Sequence, residues 1–353
     1  GMAYGVGGSG AFGMVCDLAE LIIGMDPLRT EFIWETMYKR TFWGQNGGPV
    51  VFSGIAAIDV ALWDIKGKYF NVPCYQLLGG KVRDKLRTYA SQLQFGWGQV
   101  GVSEHLWAVT PEDYAHNVKL ALAEGFDAIK IDFFDRDEEG KPLNFLDTTG
   151  LLTPKQLKMV ESRMKAAREA AGDDVDIIME NHSYPDALGA VQLAKLAEKY
   201  HIMAFEEPNT PTTQTVEYIA KYSSVPIANG ERLYSRWQYA EYFKKNLLQL
   251  AQPDIGNCGK KISDMAHAYD VGIQVHCAGS PLTTNAALHL ECTLPNFLIH
   301  EHHTCNRMDT SVGLTKYNLQ PENGYFTVPD LPGIGNEFLQ EAIDRATLYK
   351  VIE

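Results

Sequence analysis

Three carboxylates stand where short apolar segments of the chain end. Glu180, Glu206 and Glu231 close three consecutive segments of this kind. Unpaired carboxylates that lie side by side repel one another, and a divalent cation removes this repulsion. Carboxylate oxygens with positions left for water and substrate suit Mg²⁺ better than Zn²⁺. A single glutamate of this kind is more often a solvated loop residue or the partner of a lysine or arginine, but three at matched positions predict one Mg²⁺ ion.

The next two segments end with an acid and an imidazole. Asp254 and His276 close them, and a carboxylate beside a histidine fixes its tautomer and raises its basicity. We therefore predict that His276 is a general base held by Asp254, although a lone histidine here would more often be a buried structural residue. His182 lies two residues beyond Glu180. If it faces the metal ligands it is a candidate acid for a leaving hydroxyl, and otherwise it is a surface residue; both alternatives stay open.

Short apolar segments that alternate with long helical patterns must position these side chains. The residues that close the segments stand at 180, 206, 231, 254, 276 and 301, in steps of 22 to 26 residues. This alternation predicts a parallel sheet, and the even steps favour a closed (β/α) barrel over a doubly wound sheet. The carboxyl ends of barrel strands open on one face, so these residues should converge. The predicted strands are 128–132, 177–180, 203–206, 227–231, 248–254 and 273–276.

The first 80 residues show a different pattern. Helical periodicity over 14–23 and 52–70 predicts two or three helices there. The glycine-rich stretch 5–10 follows no visible strand, so we interpret it as a loop rather than a phosphate-binding turn. The charged segment 135–153 lies between two predicted strands, and we interpret it as an insertion at the barrel rim.

Composition excludes several classes of protein. The chain has 353 residues, with 31 Lys and Arg against 44 Asp and Glu, and a net charge of −13. Because there is no basic stripe, nucleic acid and membrane are poor candidate partners, and an anionic substrate would need a local cation to offset the field. No apolar run reaches about 18 residues, no secretory signal is visible, and the six cysteines form no CxxC pair. We therefore expect a cytoplasmic protein with reduced cysteines.

The segments that carry the chemistry, taken in order, resemble a known family. Together with residues 56–67, Pro73 and the Leu-Leu-Gly-Gly of 77–80, they resemble the enolase superfamily, mandelate racemase subgroup, over essentially the whole chain. The resemblance implies a TIM-type (β/α)7β barrel with an α+β capping domain whose N-terminal strands are missing here. It also implies a cap over 1–85, a barrel over 86–320 and a C-terminal segment, 321–353, that packs back on the cap. The segments are IKID (129–132), MENH (179–182), FEEP (205–208), NGER (229–232), QPD (252–254), QVH (274–276) and IHE (299–301).

The same resemblance implies residue roles. The three carboxylates named above match the ligands of one Mg²⁺ per site, and Asp254 with His276 matches the basic dyad. A proton next to a carboxylate is a weak acid, so its removal needs a fixed cation near the developing charge. Glu301 matches the strand-end acid that hydrogen-bonds the substrate carboxylate. From similar proteins we also expect a homo-oligomer. The predicted substrate-binding residues are Lys130, Asp132, Arg232 and Trp43.

Two departures from the family pattern bear on the reaction. The first metal ligand, Glu180, is more often an aspartate, and Asp132 replaces the second lysine of the family's two-lysine motif. That lysine is the usual base on the opposite face of the substrate carbon. A racemase needs a base on each face, whereas a dehydratase needs one base and an acid for the departing hydroxyl. With His276 as base and His182 as candidate acid, the chain resembles galactonate dehydratase-like acid-sugar dehydratases, which convert a 2R aldonate to a 2-keto-3-deoxy acid.

The sequence also allows other functions. A racemase, epimerase or cycloisomerase on the same scaffold would use Lys130 or another group as a second base, and a noncatalytic binding barrel is the third alternative. Residues 256–261 form a shorter turn than the family pattern, and the lid that would hold substrate contacts is incomplete. Either the enzyme has lost these segments or the sequence lacks flexible residues. Trp43, Gln45 and Asn46 remain as candidate cap contacts, although aromatic packing is the commoner role for a residue like Trp43.

Overall fold

The protein is described here by a computed structural model, which covers residues 8–42, 44–45, 47–98, 106–255, 259–347 and 350–352. Its N-terminal part is helical in these ranges, as the periodicity predicts. The helices are α1 (Gly8–Ile22), α2 (Thr30–Arg40), α3 (Pro49–Phe70) and the single turn α4 (Cys74–Leu77). Buried side chains of α1, α2 and α3 form a separate apolar core. Since α1 begins at Gly8, the prediction of a loop through residue 10 is wrong for its last three residues.

A parallel sheet forms the centre of the molecule. Its strands are β1 (Lys85–Ser91), β2 (Ala128–Asp132), β3 (Asp176–Glu180), β4 (Ala204–Glu206), β5 (Ile227–Asn229), β6 (Leu250–Ala251), β7 (Gly272–Ile273) and β8 (His300–His303). They are hydrogen-bonded in the order β7-β6-β5-β4-β3-β2-β1-β8. A further strand, β9 (Tyr325–Thr327), pairs antiparallel with β1. The sheet positions of β1 to β7 follow their order in the chain, and β8 lies beside β1, as expected for a barrel.

The two ends of the sheet meet. Ile273 of β7 forms a parallel bridge with Phe297, and the backbone N–H of Leu298 donates to the carbonyl oxygen of Ile273 at 2.8 Å, just before β8 begins. Within the described ranges one principal helix follows each of the first seven strands, so the (β/α)7β barrel is confirmed. These helices are α5 (Pro111–Ala123), α6 (Pro154–Ala171), α7 (Ala187–Lys199), α8 (Thr213–Tyr222), α9 (Arg236–Lys244), α10 (Gly259–His267) and α11 (Pro281–Glu291), and the short α12 (Asp309–Val312) and α13 (Gln340–Asp344) come after β8.

Several predicted boundaries differ from the observed ones. Strands β5, β6 and β7 contain only two or three residues, so the predictions 227–231, 248–254 and 273–276 extend beyond the paired backbone. Beyond β6 and β7 the pairing resumes only as a single bridge between Asp254 and His276. The prediction also placed no strand over β1, whose sequence KLRTYAS contains three charged or hydroxyl side chains in its first four residues.

The insertion at the barrel rim is held by one buried arginine. Residues 135–153 form turns and a single bridge, Arg136 to Pro142. Arg163 of α6 is 1% exposed, and its guanidinium donates to four backbone carbonyl oxygens at 2.8 to 3.1 Å. Three of them, at residues 133, 136 and 137, lie at or just before the start of this insertion, and the fourth belongs to Val109, before α5. Because each carbonyl would otherwise lose a partner on burial, Arg163 fixes the course of the rim.

The C-terminal segment contacts the helical N-terminal part. Pro73 forms a parallel bridge with Gly333, and the Tyr75 hydroxyl donates to Asp330 at 2.7 Å. The backbone N–H of Ile334 donates to Asp64 of α3 at 2.9 Å. The division of the chain into three parts stays a prediction. No helix in the described ranges combines the length and the apolar composition that crossing a bilayer requires.

Candidate active site

The alternation of side chains along each strand decides which residues face the barrel interior. One buried apolar layer inside the barrel contains Tyr89, Ala128, Ile178 and Ile299. Side chains two residues further along a strand point to the same side. The next layer toward the carboxyl ends is therefore polar, and it contains Ser91, Lys130, Glu180 and Glu301, all of which are buried. We call this set, together with Glu206 of the neighbouring β4, the polar layer.

Lys130 lies at the centre of the polar layer. Its ammonium nitrogen is 2.5 Å from Glu206 Oε1, 2.8 Å from Glu301 Oε1 and 3.1 Å from Glu180 Oε2. Burial would lower the pKa of Lys130, but the three carboxylates outweigh it and raise that pKa well above its usual value. The structure therefore brings together three predicted site acids and one predicted substrate-binding lysine.

The three acids of the polar layer differ in their affinity for a proton. Burial raises the pKa of Glu206 to about 7 against the attraction of Lys130. For Glu301 and Glu180, burial acts to raise the pKa, but the nearby positive charges outweigh it. The pKa of Glu301 therefore lies well below its usual value, and that of Glu180 is lowered. Glu301 accepts from the Ser91 hydroxyl and from the backbone N–H of Cys277, each at 2.8 Å. In this state Glu301 is thus an ionised acceptor.

His276 and Asp254 form the dyad that the sequence predicts. His276 Nδ1 lies 3.0 Å from Asp254 Oδ1, and Nε2 lies 2.9 Å from Glu231 Oε2. Burial lowers the pKa of His276, but Asp254 and then Glu301 raise it, giving about 9. With Nδ1 occupied by aspartate, Nε2 is the nitrogen that can exchange a proton with a substrate.

His182 forms a second dyad, which resolves the open alternative about its direction. Its Nδ1 lies 2.8 Å from Asp132 Oδ2, and its Nε2 lies 3.2 Å from Glu180 Oε1. Burial lowers the pKa of His182, and Glu180 with Asp132 raises it to about 9. The left-handed backbone at His182, with φ of 46°, turns the ring toward the acids instead of continuing the strand. Asp132 therefore hydrogen-bonds His182, and its predicted contact with substrate stays a prediction.

The two dyads lie on opposite walls of the barrel. His182 follows β3 and His276 follows β7, and these strands are four positions apart in the closed ring of eight. Each ring has Nδ1 held by an aspartate and Nε2 next to a glutamate that the sequence predicts as a metal ligand. Substrate bound between them would thus meet one imidazole on each side.

Glu231 is oriented differently from the other two predicted metal ligands. β5 ends at Asn229, so Glu231 lies beyond the strand. Its carboxylate contacts Arg232 and His276. Among the described residues, no group of three His, Cys, Asp or Glu side chains is arranged to hold a metal ion as it stands. A cation would nevertheless suit the donor set, because Glu206 Oε2 is buried without a hydrogen-bond partner in the described part of the chain.

Several residues near the site were given no role from the sequence. Gln92, directly after β1 and with φ of 69°, donates from Nε2 to Glu180 Oε2 at 2.6 Å. Glu207 is fully buried, and its carboxylate accepts from Ser183, Gly230 and Arg232. Arg232 thus holds two glutamates rather than standing free for substrate. The Glu-Glu-Pro motif could have indicated Glu207, whereas Gln92 depended on recognising β1.

Two of the three predicted cap contacts lie outside the residues that the structure describes. Trp43 and Asn46 are not among the described residues, and Gln45 is exposed. Their contribution to substrate binding stays a prediction.

Comparison with known proteins identifies the family. A family model described as "Enolase C-terminal domain-like" matches residues 113–342, and one described as "Mandelate racemase / muconate lactonizing enzyme, N-terminal domain" matches residues 4–79. The chain belongs to the enolase superfamily. A D-galactonate dehydratase of Ralstonia pickettii is 34% identical over 91% of this chain and 80% of that protein. The crystal structure of an enolase superfamily member from Salmonella Typhimurium is 45% identical, with a TM-score of 0.94 over 98% of this chain and 90% of that chain.

A less similar solved structure is that of an enzyme with a different activity. The 3,6-anhydro-D-galactonate cycloisomerase of Zobellia galactanivorans is 26% identical, with a TM-score of 0.80 over 97% of this chain and 88% of that chain. The family resemblance stated from the sequence motifs is therefore confirmed over nearly the whole chain.

Proposed function

We propose that this enzyme is a Mg²⁺-dependent hydro-lyase that dehydrates an acid sugar of the aldonate class. The observation that carries the proposal is the pair of histidine–aspartate dyads on opposite walls of the barrel. One imidazole can remove a proton and the other can protonate a leaving hydroxyl, which is what an elimination across two carbons requires. The 34% identity to a D-galactonate dehydratase supports the same reaction class.

Glu180, Glu206 and Glu231 would hold the Mg²⁺. When bound, the ion would supply the positive charge that stabilises the second negative charge arising on the substrate carboxylate as an enediolate forms. The unpartnered Oε2 of Glu206 supports this assignment, and so does its pKa of about 7, since burial without a full counter-charge keeps that carboxylate ready for a cation. Glu231 would have to turn from His276 and Arg232 to join the other two.

The chain's own residues would then move two protons. His276 Nε2 takes the proton from C2, while Asp254 holds Nδ1 and stabilises the imidazolium that results. The C3–O bond breaks, and His182 Nε2 gives a proton to the departing hydroxyl, which leaves as water. The enol that remains becomes a 2-keto-3-deoxy acid when C3 takes up a proton and the 2-hydroxyl loses its proton to solvent. Lys130, fixed by its three carboxylates, would keep a positive charge beside the substrate carboxylate.

The direct test is a screen for 2-keto acid formation from aldonic and aldaric acids, beginning with D-galactonate. We expect activity on a 2R aldonate that disappears with a chelator and returns with Mg²⁺. His276→Asn should abolish turnover without changing the circular dichroism spectrum. A hit confined to 2S acids, or full activity of His276→Asn, would overturn the assignment of the base.

A substrate with a better leaving group separates the two dyads. His182→Asn should lose roughly 10²–10⁴-fold on the aldonate, the usual contribution of a general acid. On the 3-deoxy-3-fluoro analogue the same variant should recover most of its activity, because fluoride leaves without a proton. His276→Asn should stay inactive on both substrates. An equal loss for His182→Asn on both would show that His182 is not the acid.

The alternative is a racemase, epimerase or cycloisomerase. It draws on the second dyad, which places a potential second base opposite His276, and on the likeness to a cycloisomerase at 26% identity. Incubation in D₂O distinguishes the reactions: recovered substrate that is inverted and deuterated at C2 indicates epimerisation, and a keto acid indicates dehydration.

The family resemblance also supports a proposal about organisation. We propose that the enzyme is a cytoplasmic homo-oligomer, and that each chain consists of a cap, a barrel and a C-terminal segment that packs on the cap.

A further inference from the structure

A second cleft lies between the helical N-terminal part and the barrel. It has an accessible volume of about 90 Å³ and is partly open to solvent, and α2 and α3 line one side while α10 and α11 line the other. None of the polar layer and neither histidine dyad lines it. Clefts between two parts of a protein bind small molecules where a few polar groups converge on an apolar wall, and the volume here limits the ligand to a small one.

One carboxylate in this cleft lacks a counter-charge. Burial, followed by the charge of Glu31, raises the pKa of Asp59 of α3 to about 7, although Lys261 and a hydrogen bond with Trp63 act in the opposite direction. Lys261 lowers the pKa of Asp59 but is not its ion-pair partner, because the ammonium of Lys261 is paired with Glu31. The other lysine of the cleft, Lys260, is paired with Asp264. Both lysine charges are thus balanced, and the charge of Asp59 remains.

Two indoles provide the apolar wall. Trp34 is 3% exposed, and its Nε1–H has no hydrogen-bond partner in the described part of the chain. The ammonium of Lys261 lies 5.7 Å from the ring centroid of Trp34, and that of Lys66 lies 5.3 Å from the ring centroid of Trp63. Both indoles therefore already attract cations through their faces.

The remaining titratable groups of the cleft are neutral at pH 7. Burial lowers the pKa of His289 of α11 to about 4 and raises the pKa of the Cys74 thiol of α4 to about 12. His289 also stacks on Tyr75, with ring centroids 5.7 Å apart. An anion would meet the uncompensated charge of Asp59 and find no free cation among the described lining residues.

We propose that this cleft is an accessory site for a small organic amine, whose ammonium pairs with Asp59 and whose apolar body lies against Trp34 and Trp63. A carboxylate beside two indoles is the arrangement that recognises an organic cation. The cleft also contains Ile255, the residue after Asp254 of the basic dyad. An amine in the cleft thus lies one residue in sequence from Asp254, which holds the base His276, and this is a short route by which the amine could change turnover.

Calorimetric titration of the full chain with three ligands of equal shape tests the charge requirement. Phenethylamine, 2-phenylethanol and phenylacetate carry a positive, neutral and negative head on the same ring. We expect phenethylamine to bind with a dissociation constant of about 1 mM or tighter, as suits a ligand of this size, and the other two to bind at least about tenfold more weakly. Equal binding of the amine and the alcohol, or no heat with the amine up to about 10 mM, would overturn the proposal.

Variants separate Asp59 from nonspecific attraction to an acidic protein. Asp59→Asn should weaken phenethylamine binding by roughly tenfold or more, as expected for the loss of a charged hydrogen-bond partner. Asp173→Asn removes an exposed carboxylate outside the cleft and should leave the affinity unchanged. Ala286→Met, which places a larger side chain at a lining position and leaves the Asp59 carboxylate in place, should also weaken binding. If both cleft variants bind phenethylamine like the wild type, the amine binds elsewhere and the proposal fails.

The pH dependence gives an independent readout. Because an ammonium pairs with the ionised form of Asp59, binding should tighten as pH rises from 5.5 to 8 and should be flat in Asp59→Asn. Among the groups that face Asp59 from neighbouring elements, Glu31 and Lys261 are paired with each other, and His289, with a pKa of about 4, and Cys74, with a pKa of about 12, stay neutral over this range. A flat profile for the wild type would count against Asp59. None of these measurements uses turnover, so they are independent of the dehydratase proposal.

Discussion

Replacing Lys130 with methionine should destabilise the protein strongly, because one buried ammonium balances three buried carboxylates. Its nitrogen lies 2.5 to 3.1 Å from oxygens of Glu206, Glu301 and Glu180. Removing one partner of a buried ion pair costs about 3–5 kcal/mol. The loss is not tripled, because Glu206, whose pKa is already about 7, can take up a proton when Lys130 is gone. At about 2–4 °C per kcal/mol for chains of 150–250 residues, this cost corresponds to a fall of roughly 6–20 °C in the unfolding midpoint, and we expect the lower part of that range for a longer chain.

The measurement is differential scanning calorimetry in a chelator at pH 8, with Lys195→Met as the matched control. Lys195 is 54% exposed and pairs with Glu198 at the surface, so its replacement should cost less than about 1 kcal/mol. A midpoint loss for Lys130→Met that is no larger than that of the control would refute the reasoning. Adding Mg²⁺ should raise the midpoint of Lys130→Met more than that of the wild type, because a dication at Glu206 supplies the missing charge.

The sign of the pH dependence follows from the pKa shifts. With Lys130 present, the pKa of Glu301 lies well below its usual value of 4.5, so its charge stabilises the fold above about pH 4.5 and this stability is lost only as pH falls through the lowered pKa. Without Lys130 burial dominates, the carboxylate pKa values rise, and the native state is penalised as pH rises past 4.5. The stability gap between the wild type and Lys130→Met should therefore widen from pH 5 to pH 8. A gap that narrows over this range would contradict the charge assignment.

Three further predictions test the dyad, the cap and the rim. Asp254→Asn should lower kcat by roughly 10²–10⁴-fold at nearly unchanged KM in steady-state assays, because His276 loses the group that fixes its tautomer. Gly67→Ala should lower the free energy of unfolding by about 1–3 kcal/mol, because its Cβ would lie 2.7 Å from a backbone atom of Gly333. Gly13→Ala, in open space on α1, should raise that free energy by about 0.5–1 kcal/mol. Chemical denaturation measures both, and opposite results would contradict the packing. Arg163→Met should lower the thermal unfolding midpoint by at least about 5 °C and speed proteolysis in residues 135–153, because four carbonyl oxygens lose their donor. Unchanged proteolysis would show that the rim does not depend on Arg163.

The barrel and its polar layer could be predicted from the sequence because two simple regularities coincide. The step of 22 to 26 residues sets the strands in order, and the alternation along each strand sets which residues face inward. In β2 the inward positions are Ala128, Lys130 and Asp132, and the outward positions, Ile129 and Ile131, pack against the helices in the main core. Charged residues in a buried strand are costly unless they meet counter-charges, so their presence pointed to a shared site.

The orientation of Glu231 could not be predicted, because the chain leaves the sheet just before it. At Gly230 a side chain would collide with the backbone of Gln252, so only glycine fits at the point where β5 ends. Beyond that residue the strand alternation no longer decides direction, and contacts with Arg232 and His276 do. Gln92 was missed for a related reason: it follows a strand with few apolar residues, and it reaches Glu180 only because its backbone turns to φ of 69°.

The two dyads make the reaction a question of which carbon each imidazole reaches. Opposite imidazoles serve a racemase when both Nε2 atoms address the same carbon, and a dehydratase when one addresses C2 and the other the C3 hydroxyl. Here the Nε2 of His276 lies beside Glu231 and the Nε2 of His182 beside Glu180, so the positions of both depend on residues proposed to bind the metal. The family's second lysine would add a base directly on β2, but Asp132 stands there and holds His182 by Nδ1. With His182 as the proposed acid, that replacement puts a support for the acid where the family has a second base, and this arrangement would favour elimination over inversion.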